Sequence, residues 1–219
     1  MIQIKEVAKF RDNFKDLINR SKKYERIIEN LINESKIVFP NQYRYISEQY
    51  SNQCDFEDIV TGQKYDAKLL FAEKDGKLLG SRNGDYGEWC RSQMDQVCEF
   101  GDYIENRGQR KISDLTFYKI ACERLQTVEP DEDVIFFIPY PIVLDGKGFH
   151  MFPFCGDLLS AVFNELRRNE IVGDRKVYVI YPCVERAIVL RCLNTDKREY
   201  FTDHELRKYI AFDISLEQE

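Results

Sequence analysis

The stretch YDAKLLF, Tyr65 to Phe71, alternates apolar and charged side chains. Successive side chains of a β-strand point to opposite faces, so Tyr65, Ala67, Leu69 and Phe71 read as one apolar face. Asp66 and Lys68 read as the other, charged face. DFEDIV, Asp55 to Val60, repeats the pattern upstream, and Thr61-Gly62 supplies a turn between the two, which together read as a half-buried hairpin. A two-residue loop places Asp55 opposite Lys68 and Glu57 opposite Asp66, with Phe56 and Val60 on the apolar face. A loop of odd length instead sets Asp58 opposite Asp66 and turns Phe56 and Val60 outward. Apolar patterning governs register, so the even loop is expected, with Asp58 escaping at the strand end near the turn.

The rest of the chain mixes helical and strand-like periods. From Glu6 to about Ser35, apolar residues recur three or four apart, the mark of one long amphipathic N-terminal helix, which Pro40 ends. Gln42 to Tyr50 reads as a shorter polar helix carrying Glu48. The Asp-Gly of EKDGK predicts a turn into a short third strand, KLLG, and so a small antiparallel meander. Helices are expected over Glu88–Glu105, from the Ser113 cap to about Leu125, and from Gly156 to about Asn169. Val134–Ile138 reads as a strand, Lys176–Leu193 as a second hairpin, and TDHELRKYI as a capped C-terminal helix. The expected fold is therefore α+β, a mixed or antiparallel central sheet with flanking helices. It forms a single domain over 1–219, with a core at about 42–140 and a C-terminal αβ portion at 141–219.

Seven cysteines form no CxxC pair, and VIFFIPYPIVL, the longest nearly unbroken apolar run, is too short and too proline-broken for a membrane span. No signal-peptide pattern opens the chain, so a cytoplasmic protein is expected. The net charge of −6 argues against coating nucleic acid by bulk electrostatics. It does not argue against a nuclease, whose acidic metal site itself contributes negative charge.

Asp55, ten intervening residues, then Asp66-Ala67-Lys68 resembles the acid followed by (D/E)xK of the PD-(D/E)xK nuclease superfamily. That core runs helix, strands, helix, strand, with the acid and the (D/E)xK on adjacent antiparallel strands, and Gln42 to Tyr140 offers a similar order. The resemblance implies that Asp55, Asp66 and the Ala67 carbonyl hold Mg²⁺ or Mn²⁺, that Lys68 positions or activates the attacking water, and that Glu48 is an additional acid. Cys54 stands where the family pattern has proline, and Asp58 is a rival for the first acid. The chemistry suits these residue types: Mg²⁺ takes oxygen ligands, one or two carboxylates among them. A neighbouring ammonium opposes the negative charge that gathers on phosphorus. Restriction, defence or mobile-element biology is the setting the resemblance implies, with DNA as substrate and a homodimer or a protein partner as a route to cutting both strands.

Other readings compete. The same charges form a solvated sheet face if they only pair across strands. The chain is then a non-catalytic interaction module, a degenerate version of the same fold. Arg82, Arg107, Arg110 and Lys111 are candidate phosphate contacts, although short basic clusters are more often solvated loops. Cys155 with His150 or His204 makes a weak thiol-hydrolase set, because HMFPFC surrounds the thiol with bulky apolar groups.

Overall fold

The computed structural model describes residues 21–46, 54–70, 73–74, 77–78, 99, 102–103, 105–106, 109–138, 143–145, 148–150, 155–182, 188–202 and 204. Its elements in chain order begin with helix α1 (Ser21–Glu34), β1 (Tyr43–Tyr45), β2 (Phe56–Asp58) and β3 (Lys64–Leu69). They continue with β4 (Glu73–Lys74), β5 (Lys77–Leu78), a 3₁₀ turn (Ile112–Asp114), α2 (Thr116–Gln126), β6 (Asp133–Phe137), β7 (Val143–Asp145) and β8 (Gly148–His150). α3 (Cys155–Arg168), β9 (Val177–Pro182), β10 (Ile188–Cys192) and β11 (Arg198–Phe201) complete the set. No helix among the described residues is long and apolar enough to cross a membrane.

Seven strands form one mixed sheet in the order β1-β2-β3-β6-β9-β10-β11. β1, β2 and β3 run antiparallel in turn, β3 pairs in parallel with β6, β6 in parallel with β9, and β9, β10 and β11 run antiparallel again. Parallel neighbours need a crossover, and α2 and α3 supply the two. A strand covered on both faces reads as continuously apolar, which is why DVIFF of β6 is buried at every position in the middle of the sheet.

The two faces are covered by different helices. α1 lays Ile27, Ile28, Leu31 and Ile32 against Phe56, Tyr65, Ala67, Ile135, Phe137 and Ile180. These helix positions fall on one stripe of a 3.6-residue period, so the sequence of α1 itself dictates which side docks. α2 and α3 cover the other face, packing Phe117, Ala121, Leu125, Leu159, Val162 and Phe163 on Val134, Phe136, Val177 and Val179. The mixed sheet with helices agrees with the α+β expectation.

Several local expectations need correction. Residues 43–45 form a strand, not part of a polar helix, because Tyr43 packs edge-on against Phe39 and Tyr65 at 5.0 and 5.7 Å. Tertiary aromatic contact overrides local propensity there. β4 and β5 pair antiparallel, but they form their own two-stranded sheet, not a third strand of the meander. α2 starts at Thr116, not after Ser113, and a distant carboxylate caps it: Glu99 accepts the Thr116 N–H and hydroxyl, each at 2.8 Å. β11 was not foreseen. The part of the expected long helix before Ser21, and most of Glu88–Glu105 and TDHELRKYI, lie outside the described residues.

Candidate metal centre on the β2–β3 hairpin

The hairpin forms, in a register two residues from the expected one. Phe56 faces Tyr65 and Glu57 faces Lys64, and the loop is Ile59–Gly62, closed by Asp58 N–H donating to the Gln63 carbonyl at 2.8 Å. The longer loop takes Val60 off the apolar face, and it stands 72% exposed. Gly62 sits at φ +73°, a left-handed turn conformation that suits glycine. Asp58 fixes that loop from inside: it is buried and accepts hydrogen bonds from Asn41 Nδ2, Val60 N and Thr61 N at 2.7, 2.8 and 3.2 Å. Its place beside Phe56 in the strand alternation puts it on the opposite face from Asp66, so Asp58 is a turn cap and not the first acid of a site.

Asp55 is held differently. Its N–H donates to the Tyr65 carbonyl at 3.0 Å although Phe56 is the residue paired with Tyr65. Two residues of one strand thus meet one of the other, the arrangement of a β-bulge, which re-aims a side chain. On its other side the Asp55 carbonyl accepts the Ile46 N–H at 2.8 Å. The backbone is therefore pinned by both neighbouring strands, and the side chain turns toward β3. There its Oδ2 accepts the Ala67 N–H at 2.7 Å, and its carboxyl lies near enough to Asp66 for that charge to act on it.

Asp66 projects with Lys68 from the other face of β3, where Lys68 Nζ lies 2.6 Å from Asp66 Oδ2. Both remain reachable, with side-chain exposures of 25% for Lys68 and 12% for Asp66. Burial, and then the Asp66 charge beside it, push the Asp55 carboxyl up to about 8, against the Ala67 N–H, which favours the ionised form. Two carboxylates held together in a partly buried site must share a proton or a cation. Hard oxygen donors on a rigid strand pair suit Mg²⁺ or Mn²⁺, with Asp55, Asp66 and the Ala67 carbonyl as the available ligands. Among the described residues, no group of three His, Cys, Asp or Glu side chains is gathered closely enough to hold one ion.

Two acids near this pair escaped the sequence reading. Glu25, buried on α1, receives the Tyr45 hydroxyl at 2.5 Å, and its charge helps to raise Asp55. The available signal was a carboxylate on the apolar stripe of α1, three residues before Ile28. Glu132, just before β6, is also buried; burial first, then the charges of Asp66 and Asp131, raise its carboxyl while Lys64 works the other way. Glu57 is not opposite Asp66 as expected. It pairs instead with Arg44, which donates from Nε at 2.8 Å and from a terminal nitrogen at 2.5 Å.

Arg110 is surface-exposed and lies 3.5 Å from Asp102; Lys111 is exposed, its N–H donating to Asp114 at 3.1 Å. Glu48, Arg82 and Arg107, and the side chains of His150 and Cys155, lie outside the described residues, and His204 is 4.0 Å from Glu34. Cys54, next to Asp55, is buried; burial and the Glu132 charge push its thiol up to about 11, so it is no nucleophile. Comparison of the chain with protein-family models, with curated proteins and with solved structures gave no match.

Proposed function

We propose that the chain is a metal-dependent, nuclease-like enzyme that hydrolyses phosphodiester bonds, those of DNA by its resemblance to the PD-(D/E)xK superfamily. One observation carries the reading: Asp55, held by the Ala67 N–H, stands where the Asp66 charge acts on its carboxyl, and the Lys68 ammonium lies 2.6 Å from Asp66. The order of elements supports it. A helix, three antiparallel strands, a crossover helix and a strand parallel to the third occur in sequence, with Asp55 directly before the second strand and Asp66 on the third. A restriction, defence or mobile-element role follows only by analogy with that family.

Asp55, Asp66 and the Ala67 carbonyl would hold the divalent ion. When bound, it would polarise the phosphoryl oxygen and acidify the attacking water. The protein's own groups do the positioning. The Ala67 N–H fixes the rotamer of Asp55, and the strand ladder fixes Asp66 and Lys68 on a frame shared with β6. Lys68 keeps a cation where negative charge develops on phosphorus, and its ammonium can donate to the incoming water.

The test is cleavage of supercoiled plasmid by purified protein with and without Mg²⁺ or Mn²⁺. Nicking is expected only with metal, and Lys68→Ala is expected to abolish it. Equal nicking by that variant assigns the activity to a contaminant. A folded, metal-binding protein that never cuts DNA or RNA favours the interaction module.

A further inference from the structure

We propose that Glu132 is a third functional carboxylate of this site, holding water molecules around a hydrated divalent cation that Asp55 and Asp66 grip. The inference rests on the metal-dependent reading above and adds to it a role for a residue directly before a third strand.

The first ground is an imbalance among buried acids. Glu25 has the Tyr45 hydroxyl, Asp58 has Asn41 and two backbone N–H groups, Asp66 has Lys68, and Asp133 has the Lys176 N–H at 2.7 Å. Glu132 is only 6% exposed, yet no hydrogen bond or ion pair is made to its carboxyl among the described residues. Buried carboxyls are normally provided with donors, and a missing one calls for an explanation such as water or an ion.

The second ground is placement. Parallel pairing of Tyr65 with Asp133 and of Asp66 with Val134 sets Glu132 beside Lys64. Continuing the alternation of β6 one residue back puts Glu132 on the Asp66 side of the sheet, while Asp133 turns to the other side and takes the Lys176 N–H. The charges of Glu132 and Asp66 act on each other directly. Lys64 is solvent-exposed and makes no ion pair with Glu132.

The third ground is reach. The three acids are not gathered closely enough for direct ligation of one ion. Mg²⁺ keeps several of its waters when it binds through one or two carboxylates, and those waters are the donors that Glu132 lacks. Groups that act through ligand waters orient the ion and tune its affinity without touching it.

The experiment is calorimetric titration of the full chain with Mg²⁺, and separately with hexaamminecobalt(III), a cation that binds only through its ligand shell. Glu132→Gln is expected to weaken Mg²⁺ binding about 10–100-fold. It should weaken the hexaammine complex at least as much, with no loss of metal-free thermal stability. Glu132→Asp, which keeps the charge on a shorter stem, should fall between. Asp66→Asn should abolish Mg²⁺ binding. Wild-type affinity for both cations in Glu132→Gln overturns the inference while leaving the acid pair's role intact. Absence of any Mg²⁺ binding by the unaltered protein overturns both.

Discussion

The Asp55 carboxylate accepts the Ala67 N–H at 2.7 Å, taking the place of a backbone carbonyl where the β2–β3 ladder opens at the bulge. One side chain thereby closes the sheet and points at Asp66. The two duties separate by substitution. Asp55→Asn keeps an oxygen for the Ala67 N–H and removes the repulsion, so its metal-free melting temperature should equal or exceed that of the parent. Asp55→Ala orphans the N–H and should lose about 1–3 kcal/mol in chemical denaturation. Both should lose the thermal gain on adding Mg²⁺, which follows from binding to the native state alone.

Stability should also depend on pH with a definite sign. The Asp55 carboxyl titrates near 3.8 in an unconstrained chain and at about 8 in the fold. Between those values the native state holds the proton more tightly than the unfolded state does. The group's contribution therefore declines as pH rises through that window, and the penalty is complete above about 8. Melting temperatures of metal-free protein across this range should fall with pH, and Asp55→Asn should flatten the profile. A slope unchanged in Asp55→Asn would refute the assignment.

Glu199 behaves in the opposite sense. Burial works to raise its carboxyl, but the hydrogen bonds from the Ser35 hydroxyl and the Lys36 and Val38 N–H groups prevail, and its value is lowered. Its stabilising effect is present above the ordinary carboxylate range and is lost as pH falls through the lowered folded value. The contact ties the end of α1 to the edge strand β11. Glu199→Gln should therefore speed hydrogen exchange at Lys36 and Val38 more than at β6, which amide-resolved exchange can read.

Phe39 is 1% exposed and meets Tyr43, Tyr65 and Tyr178 at centroid separations of 5.0, 5.5 and 4.5 Å. Truncating a buried aromatic leaves a cavity and removes these ring contacts. Phe39→Ala should cost about 3–5 kcal/mol in urea unfolding. Because Tyr65 flanks Asp66, the same variant should also weaken Mg²⁺ binding without touching a ligand. Phe39→Leu should recover most of both losses.

Much of the architecture was legible because it is written in periodicity. The alternation from Tyr65 to Leu69, the apolar run of β6, the stripe of α3 and the β9–β10 hairpin all follow from side-chain spacing. β1 was not legible, since three residues are too few for a period and Phe39 and Tyr65 hold them in the sheet. The register also failed. Patterning correctly gave an even loop and a shared charged face for Asp66 and Lys68, but it could not reveal a bulge at Asp55, which two backbone hydrogen bonds create. Asp58 misled, and Glu132 went unread, for a related reason. Acids beside turns read as solvated, and only the packed structure shows which ones the fold encloses.

The acid-bearing hairpin closes locally, but its third strand is stiffened by β6, whose partner residues arrive from far along the chain: Tyr65 meets Asp133, and Val134 in turn meets Val177. Pairings of such long sequence separation form late and slow a chain's descent to its native state. The local hairpin brings the two carboxyls together, but the strand that carries Asp66 is braced only when those distant pairings form. A partly folded chain thus carries the acid pair on an unbraced hairpin, and the burial that raises the Asp55 carboxyl is complete only when the whole sheet is built.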